Sequence, residues 1–374
     1  MFCTMTMQRL DLRTVLYDVV EKYIVGYLDN ELLERGEFQF YDNEVSTPAT
    51  NVDELIKEVE YIEPSDVFAV DGSSRTFVSS KGVVSIASVS LSSSMHPLVG
   101  VYPSISGLPS LDLSIPFIAL ASSFKSSGIT PFLYSSEIIS TTSIDGTPFS
   151  SFQNPETIEA EIRLILETEA ILSSKISSGS LLIIDGPIFP PSMFLRYQVK
   201  EKLSQRRKTV LNDKNVVGIV KRLDKSQFLR SSIKDSFRRD FVAKYRVDPL
   251  SFLNDEAFLL RLYENVASKP YRPIVVGPFK KTDQVDIFVN YLIYPFHPYV
   301  KKFSVLRIET TSNDMKIVNM MSSLEFTKDG IPSILAIADS SAKAVTSGVL
   351  RVISTIMERI GVQASFSSRI GVQT

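Results

Sequence analysis

Val67-Phe68-Ala69-Val70-Asp71-Gly72-Ser73-Ser74 and Leu181-Leu182-Ile183-Ile184-Asp185-Gly186-Pro187 are the two stretches on which the reading of this chain turns. Each is a run of four apolar residues followed by aspartate and glycine. A short apolar run fits a strand buried on both faces, and the glycine lets the backbone turn or be approached closely. A carboxylate at the tip of such a strand is costly to keep ionised unless a metal ion or a basic side chain meets it. Two of them suggest two carboxylates converging on one cation. The plainer reading is that Asp-Gly is a turn pair, the aspartate capping the turn. The two runs taken together, with the acids between them, favour a site.

The 374 residues, 44% hydrophobic and 22% charged, suffice for one large domain or two ordinary ones with ample core. A net charge of −2 hides an uneven distribution: residues 196–246 carry 16 Lys/Arg against 5 Asp/Glu. That asymmetry points to an anionic partner for one surface, against the alternative of a solvated helical face. The single cysteine, Cys3, excludes an intrachain disulfide and a cysteine-based zinc site. With His96 and His297 as the only histidines, a histidine-rich metal centre is excluded, and neither lies in a nucleophile motif. A bound metal would therefore be held by oxygen, as Mg²⁺ or Mn²⁺ is. No run approaches 18 apolar residues and the N-terminus lacks a signal-peptide pattern, so the expectation is a cytoplasmic protein with no membrane contact.

Apolar residues at three- and four-residue spacings predict a helix over 11–36, and a short helix is expected near Val52–Tyr61. The first Asp strand, 66–72, is followed by a hairpin tip at Lys81-Gly82, a returning strand Val83–Leu91 and a further strand at Leu98–Tyr102. Residues 103–155, rich in Ser, Pro and Gly, read as long excursions with short elements at Phe117–Phe124 and Pro131–Ile139. Asn154 and Pro155 open a helix to Lys175. The second Asp strand, a basic helix over 192–208, a strand Val216–Lys221 and helices at 226–245 and 254–263 follow. Antiparallel strands are expected near Ile274–Val276, Gln284–Tyr294 and Val300–Glu309. Helices are expected from Ser333 to Val345 and again from Leu350. The tail repeats Arg-Ile-Gly-Val-Gln at 359–363 and 369–373.

The helix before Asp185 can be read by angle. At 100° per residue from Ile158, residues Ile162, Ile165 and Leu172 form an apolar stripe that contains Glu169, while Glu167 lies opposite. On this reading Glu169 is the third carboxylate of the site, unless its head reaches solvent at a helix edge. Asp339, with Leu335 and Ala342 on its face, is a fourth candidate. Clusters of three or four carboxylates hold divalent cations that activate water in phosphodiester cleavage. The basic segment could supply phosphate contacts, with Lys221-Arg222 at the end of an apolar run well placed for the scissile phosphate.

Ala69-Val70-Asp71-Gly72-Ser73, an acidic helix, Ile183-Ile184-Asp185-Gly186-Pro187, Gly218-Ile219-Val220-Lys221-Arg222 and Gly330-Ile331-Pro332 with Ala338-Asp339 occur in the order found in NurA nucleases, and the chain resembles that family over roughly residues 60–350. The resemblance implies an α/β fold with a ribonuclease H-like mixed central sheet flanked by helices, with additional helical and β insertions. It implies Mn²⁺-dependent DNA cleavage, Mg²⁺ being the other option, with 5′-to-3′ exonuclease and single-strand endonuclease action in double-strand break end resection. A homodimer docking on a HerA-like hexameric ATPase is implied as well. By resemblance Asp71, Asp185 and Glu169 are the metal ligands, with Glu167 the other register. Asp339 and Lys221 join them as catalytic candidates, and Ser73, Arg75, Lys221 and Arg222 are the DNA contacts. Many family members carry a histidine where Asp339 stands. The domains expected are an N-terminal helical segment over 1–62, a nuclease domain over 63–350 and a tail over 351–374.

A catalytically inactive, NurA-like regulatory subunit of a translocase complex is the competing reading. A sugar or acetate kinase related to actin would also use Asp-Gly strand ends, but it needs a glycine-rich phosphate-binding pair that is not evident here.

Overall fold

Among the described residues, apolar strand segments assemble into one large sheet of thirteen strands. The computed structural model describes residues 45–46, 49, 51–63, 66–79, 82–122, 135–150, 154–177, 179–191, 195–211, 213–359 and 364–365. The helix expected over 11–36, Cys3 and most of the repeated tail lie outside the described residues. The strands are β1 (Val45–Ser46), β2 (Ile56–Glu58), β3 (Val67–Ser79), β4 (Gly82–Ser93), β5 (Gly100–Tyr102), β6 (Ile118–Ser122), β7 (Ile139–Ser140), β8 (Leu181–Asp185), β9 (Asn215–Val220), β10 (Ile274–Thr282), β11 (Asp286–Pro295), β12 (Phe303–Thr310) and β13 (Ala364–Ser365). The helices are α1 (Pro155–Ser173), α2 (Tyr197–Val210), α3 (Phe228–Ser232), α4 (Asp235–Asp240), α5 (Asp255–Val266), α6 (Met315–Ser322) and α7 (Ser333–Arg359).

The sheet runs in the order β1-β10-β11-β12-β9-β8-β3-β4-β6-β7, with β2, β5 and β13 pairing off that path. It is mixed: β3, β8 and β9 are parallel neighbours, while β3–β4, β4–β6 and β9–β12 are antiparallel. α2 makes the parallel crossover from β8 to β9, while the longer connection from β3 to β8 runs through β4–β7 and then α1.

Strand alternation sorts the core into layers. Val70, Leu182 and Ile184 face one way and pack with Ile158, Ile162 and Leu166 of α1. Ala69, Ile183, Val217 and Ile219 face the other way and pack with Val318 and Met321 of α6 and with Leu335 and Ala338 of α7. A third, aromatic cluster joins Phe241, Phe258, Tyr263, Phe279 and Tyr291 beneath β10 and β11. The α7 layer meets β3 and β4 through hydroxyls as well as apolar contacts. Ser88 Oγ donates to Ala342 O at 2.7 Å and lies 2.6 Å from Thr346 Oγ1, which is 3.2 Å from Ser73 O.

Several expected elements shift. β3 does not stop at Gly72 but continues to Ser79 through twelve paired positions with β4, so Asp71 sits mid-strand opposite Ser90. The hairpin tip falls where expected: Gly82 has φ 147°, and a Cβ there would stand 2.2 Å from Ala121 O. The helix expected over 52–61 is a single 3₁₀ turn, Val52–Leu55, capped by Asn51, and the chain then forms β2 against β10. β1 and β2 thus join the same sheet as the later strands, both pairing with β10. The expected 226–245 helix is broken into α3, α4 and a π turn over Phe241–Tyr245. The two expected C-terminal helices are one, because Gly348 sits in open space and an isolated glycine costs only ~1 kcal/mol there.

Candidate active site

Register places the two aspartates together. Val70 pairs with Ile184 between the parallel strands β3 and β8, so Asp71 and Asp185 follow side by side. β9 lies alongside β8 with Ile219 opposite Asp185, and the next residues carry Lys221 into the gap. Lys221 Nζ is 3.0 Å from Asp185 Oδ2 and 3.8 Å from Asp71 Oδ2. The two aspartates therefore share one cation. Only the second Asp-Gly is a turn: β8 ends at Asp185, and Gly186 has φ 90°.

Asp71 is 1% exposed. Burial pushes its carboxyl well above the usual range, helped by the like charges of Asp185, Glu167 and Asp339 and opposed by Lys221. Burial would lower the Lys221 pKa, but Asp185 and Asp71 outweigh it and hold the ammonium above its ordinary value. Asp71 Oδ2 makes no hydrogen bond.

The glutamate that lies beside the two aspartates is Glu167, while Glu169, expected there, is paired with Arg206. The sheet-facing residues of α1 are Ile158, Ile162, Leu166 and Ala170, while Ala160 and Leu164 pack against Leu195, Val199 and Leu203 of and before α2. A helix covered on two sides has no single apolar stripe, so the angular reading centred on Glu169 fails. Neighbouring arginines of α2 sort the two glutamates: Arg207 pairs with Glu167 at 3.3 Å, and Arg206 pairs with Glu169 away from the aspartates. A Cβ on Gly72 would stand 2.7 Å from Glu167 Oε1 and 2.9 Å from Arg163 Cγ, so the bare backbone beside Asp71 is what admits the Glu167 head. Burial raises the Glu167 pKa against the pull of Arg163 and Arg207, and its Oε1 makes no hydrogen bond.

Two adjoining cavities of about 410 and 560 Å³ share Asp185, Asp339, Arg163 and Lys343. Both volumes fall within the ~300–1,000 Å³ of ligand clefts. Asp339 is not turned into the apolar face of α7. It is part-exposed at the cleft, where Lys343, one turn on, binds its Oδ2 at 2.7 Å. Ser73 and Arg75 line the first cavity, though Ser73 is buried; Lys221 and the exposed Arg222 line the second. The sequence reading missed Arg163, Arg207 and Lys343. The i,i+4 spacings Arg163–Glu167 and Asp339–Lys343 were the signal available for two of them; Arg207 was hidden among the other basic residues of its helix.

Among the described residues, no three histidine, cysteine or acidic side chains are grouped closely enough to hold a metal ion as they stand. The donor chemistry nonetheless fits a hard divalent cation: Asp71 and Asp185 already converge on one positive charge, and two buried carboxylate oxygens, Asp71 Oδ2 and Glu167 Oε1, lack hydrogen-bond partners. No described helix is long and apolar enough to cross a membrane.

Fold and site define an α/β protein whose central parallel strands bring two aspartates onto the Lys221 ammonium in a cleft lined by acidic and basic side chains. The NurA domain model matches residues 65–344, and the chain belongs to the NurA family. Among solved structures, the NurA nuclease from Sulfolobus solfataricus is 14% identical, over 93% of this chain and 98% of that one, with a TM-score of 0.45. A NurA structure with manganese is 11% identical over 92% and 97% (TM-score 0.40), and one bound to dAMP and manganese is 10% identical over 77% and 86% (TM-score 0.36). No curated protein matches the chain.

Proposed function

We propose that this chain is a metal-dependent deoxyribonuclease that trims DNA ends. The observation that carries the reading is the convergence of Asp71 and Asp185, from adjacent parallel strands, on one cation in an open cleft. Membership of the NurA family supports it. The strand order β6-β4-β3-β8-β9, with antiparallel pairs on one side of β3 and parallel pairs on the other, supports a ribonuclease H-like core.

Asp71 and Asp185, with Glu167 beside them, would hold Mn²⁺ or Mg²⁺. Such a cation supplies Lewis acidity to the phosphate and lowers the pKa of a water. The chain's own residues do the rest. Lys221 brings a protonated amine to the acids and, with Arg222 at the rim, offers positive charge to a phosphate. Arg163 neutralises Glu167, whose charge raises the Arg163 pKa. Asp339, at the junction of the two cavities, is the acid placed to take up or return a proton. On this reading the enzyme acts 5′-to-3′ on ends and as an endonuclease on single strands. It works as a cytoplasmic homodimer with a HerA-like hexameric ATPase in double-strand break resection.

The test is end-labelled single- and double-stranded DNA incubated with Mn²⁺, Mg²⁺ or chelator. Asp71→Asn and Asp185→Asn should abolish metal-dependent cleavage while the circular dichroism spectrum stays unchanged. Undiminished cleavage by either variant refutes the assignment. A folded wild type that neither cleaves nor binds Mn²⁺ would favour a non-catalytic subunit instead.

A further inference from the structure

Arg207 is a basic residue in a basic helix, yet it is only 3% exposed, in the wall of the second cavity. All its contacts run inward. Nη2 lies 3.3 Å from Glu167 Oε2, Nε donates to Thr168 Oγ1 at 3.0 Å, and Nη1 donates to Ile188 O at 3.0 Å. Ile188 belongs to the turn that follows Asp185. That turn is held from other sides as well: Gly186 N donates to Ile219 O at 2.7 Å, and Ile188 N donates to Glu309 Oε2 at 3.1 Å. It lies flat on β9, because a Cβ on Gly218 would stand 2.8 Å from both Gly186 O and Ile188 N.

One guanidinium thus ties α1, which carries Glu167, to the turn that carries Asp185. We propose that Arg207 is a positioning residue. It fixes the Glu167 carboxylate and the Asp185 turn relative to each other, leaving Glu167 Oε1 without a hydrogen bond and turned toward Gly72. The inference rests on the nuclease reading, in which these acids hold the cation. Its consequence is that metal affinity depends on a buried side chain whose own hydrogen bonds go to Thr168, Ile188 and Glu167. The fork geometry is essential, since a lysine ammonium cannot span Thr168, Ile188 and Glu167 together.

The experiment is Mn²⁺ titration of full-length wild type, Arg207→Met and Arg207→Lys by calorimetry, with cleavage kinetics on single-stranded DNA. Partners that orient ligating carboxylates change metal affinity by about 10–100-fold. Arg207→Met should weaken Mn²⁺ binding by that factor and lower kcat, while KM for DNA stays within about 2-fold, because ground-state DNA contacts are untouched. Arg207→Lys, which keeps the charge beside Glu167, should fall between the two. Wild-type Mn²⁺ affinity in a folded Arg207→Met overturns the proposal, even if its melting temperature drops, since the residue would then only support the fold. Should Arg207→Met fail to fold, Arg207→Lys decides alone: unchanged affinity overturns the proposal. Absence of Mn²⁺ binding to the wild type overturns the nuclease reading itself, and the positioning role with it.

Discussion

Glu309 offers a quantitative check on how the site's foundation is built. Its carboxylate is fully buried, with Lys281 Nζ at 2.6 Å, Arg307 Nη2 at 3.1 Å and the Ile188 amide donating at 3.1 Å. Replacing it by alanine leaves two largely buried cations without their carboxylate and one amide without an acceptor. Removing one partner of a buried ion pair costs about 3–5 kcal/mol, and the stranded amide adds about 1 kcal/mol or more. Relaxation and water entry reduce the sum, so we take a loss of ~4 kcal/mol. At ~2.1 cal/mol/K of unfolding entropy per residue, a chain of 374 residues carries ~0.8 kcal/mol/K. Glu309→Ala should therefore melt ~5 °C below wild type in a calorimetric scan at pH 7. The pH dependence has a definite sign. Burial would raise the Glu309 pKa, but Lys281, Arg307 and the Ile188 amide hold it below the 4.5 of a free glutamate. Its contribution is therefore complete above pH 4.5 and is lost as pH falls through the lower, folded-state value. The gap between variant and wild type should close on acidification below that range. A variant melting within 1 °C of wild type at pH 7, or a gap that widens in acid, would refute the reasoning.

Two further substitutions separate residues the sequence alone could not rank. Glu167→Gln should reduce cleavage by ~100-fold or more, as loss of a carboxylate beside the cation position implies, whereas Glu169→Gln, at a residue paired with Arg206, should stay within about 3-fold in the same labelled-DNA assay. Equal losses in the two would return Glu169 to the site. Gly72→Ala forces a Cβ to within 2.7 Å of Glu167 Oε1. Urea titration should show a loss of about 1–3 kcal/mol from overpacking, accompanied by weaker Mn²⁺ binding; a variant as stable as wild type would show that α1 does not rest on that glycine.

How far the sequence could be read depended on whether a signal was local. The apolar runs around Asp71 and Asp185 fit their buried parallel strands, and Asn154-Pro155 does open α1, with Asn154 Oδ1 accepting from Glu156 N. Lys221 was placed by the same logic, since an apolar strand followed by a basic residue delivers that residue to the strand end. The choice of glutamate was not local. It depended on α2 covering the second side of α1 and on which arginine reaches which flank. The end of β3 was misjudged for a similar reason: nothing within Gly72–Ser79 shows that β4 will pair along its whole length. In the Glu309 network only Arg307, two positions back on β12, is local; Lys281 is 28 positions away and Ile188 is 121, so the link to the Asp185 turn leaves no spacing to detect.

The hydroxyl contacts between α7 and the sheet bear on how that helix can move. Its buried face is mostly small, with Ala338 and Ala342 where larger side chains would otherwise lock it in a groove. Apolar packing of alanines tolerates sliding; directional bonds from Ser88 and Thr346 do not. A slip of one residue along the axis is a shift of about 1.5 Å and a rotation of about 100°. Either would break those bonds, and the rotation would swing Asp339, seven positions before Thr346, out of the cleft. The serine and threonine act as an index pin, setting the angular position of a distant acid on an otherwise smooth shaft.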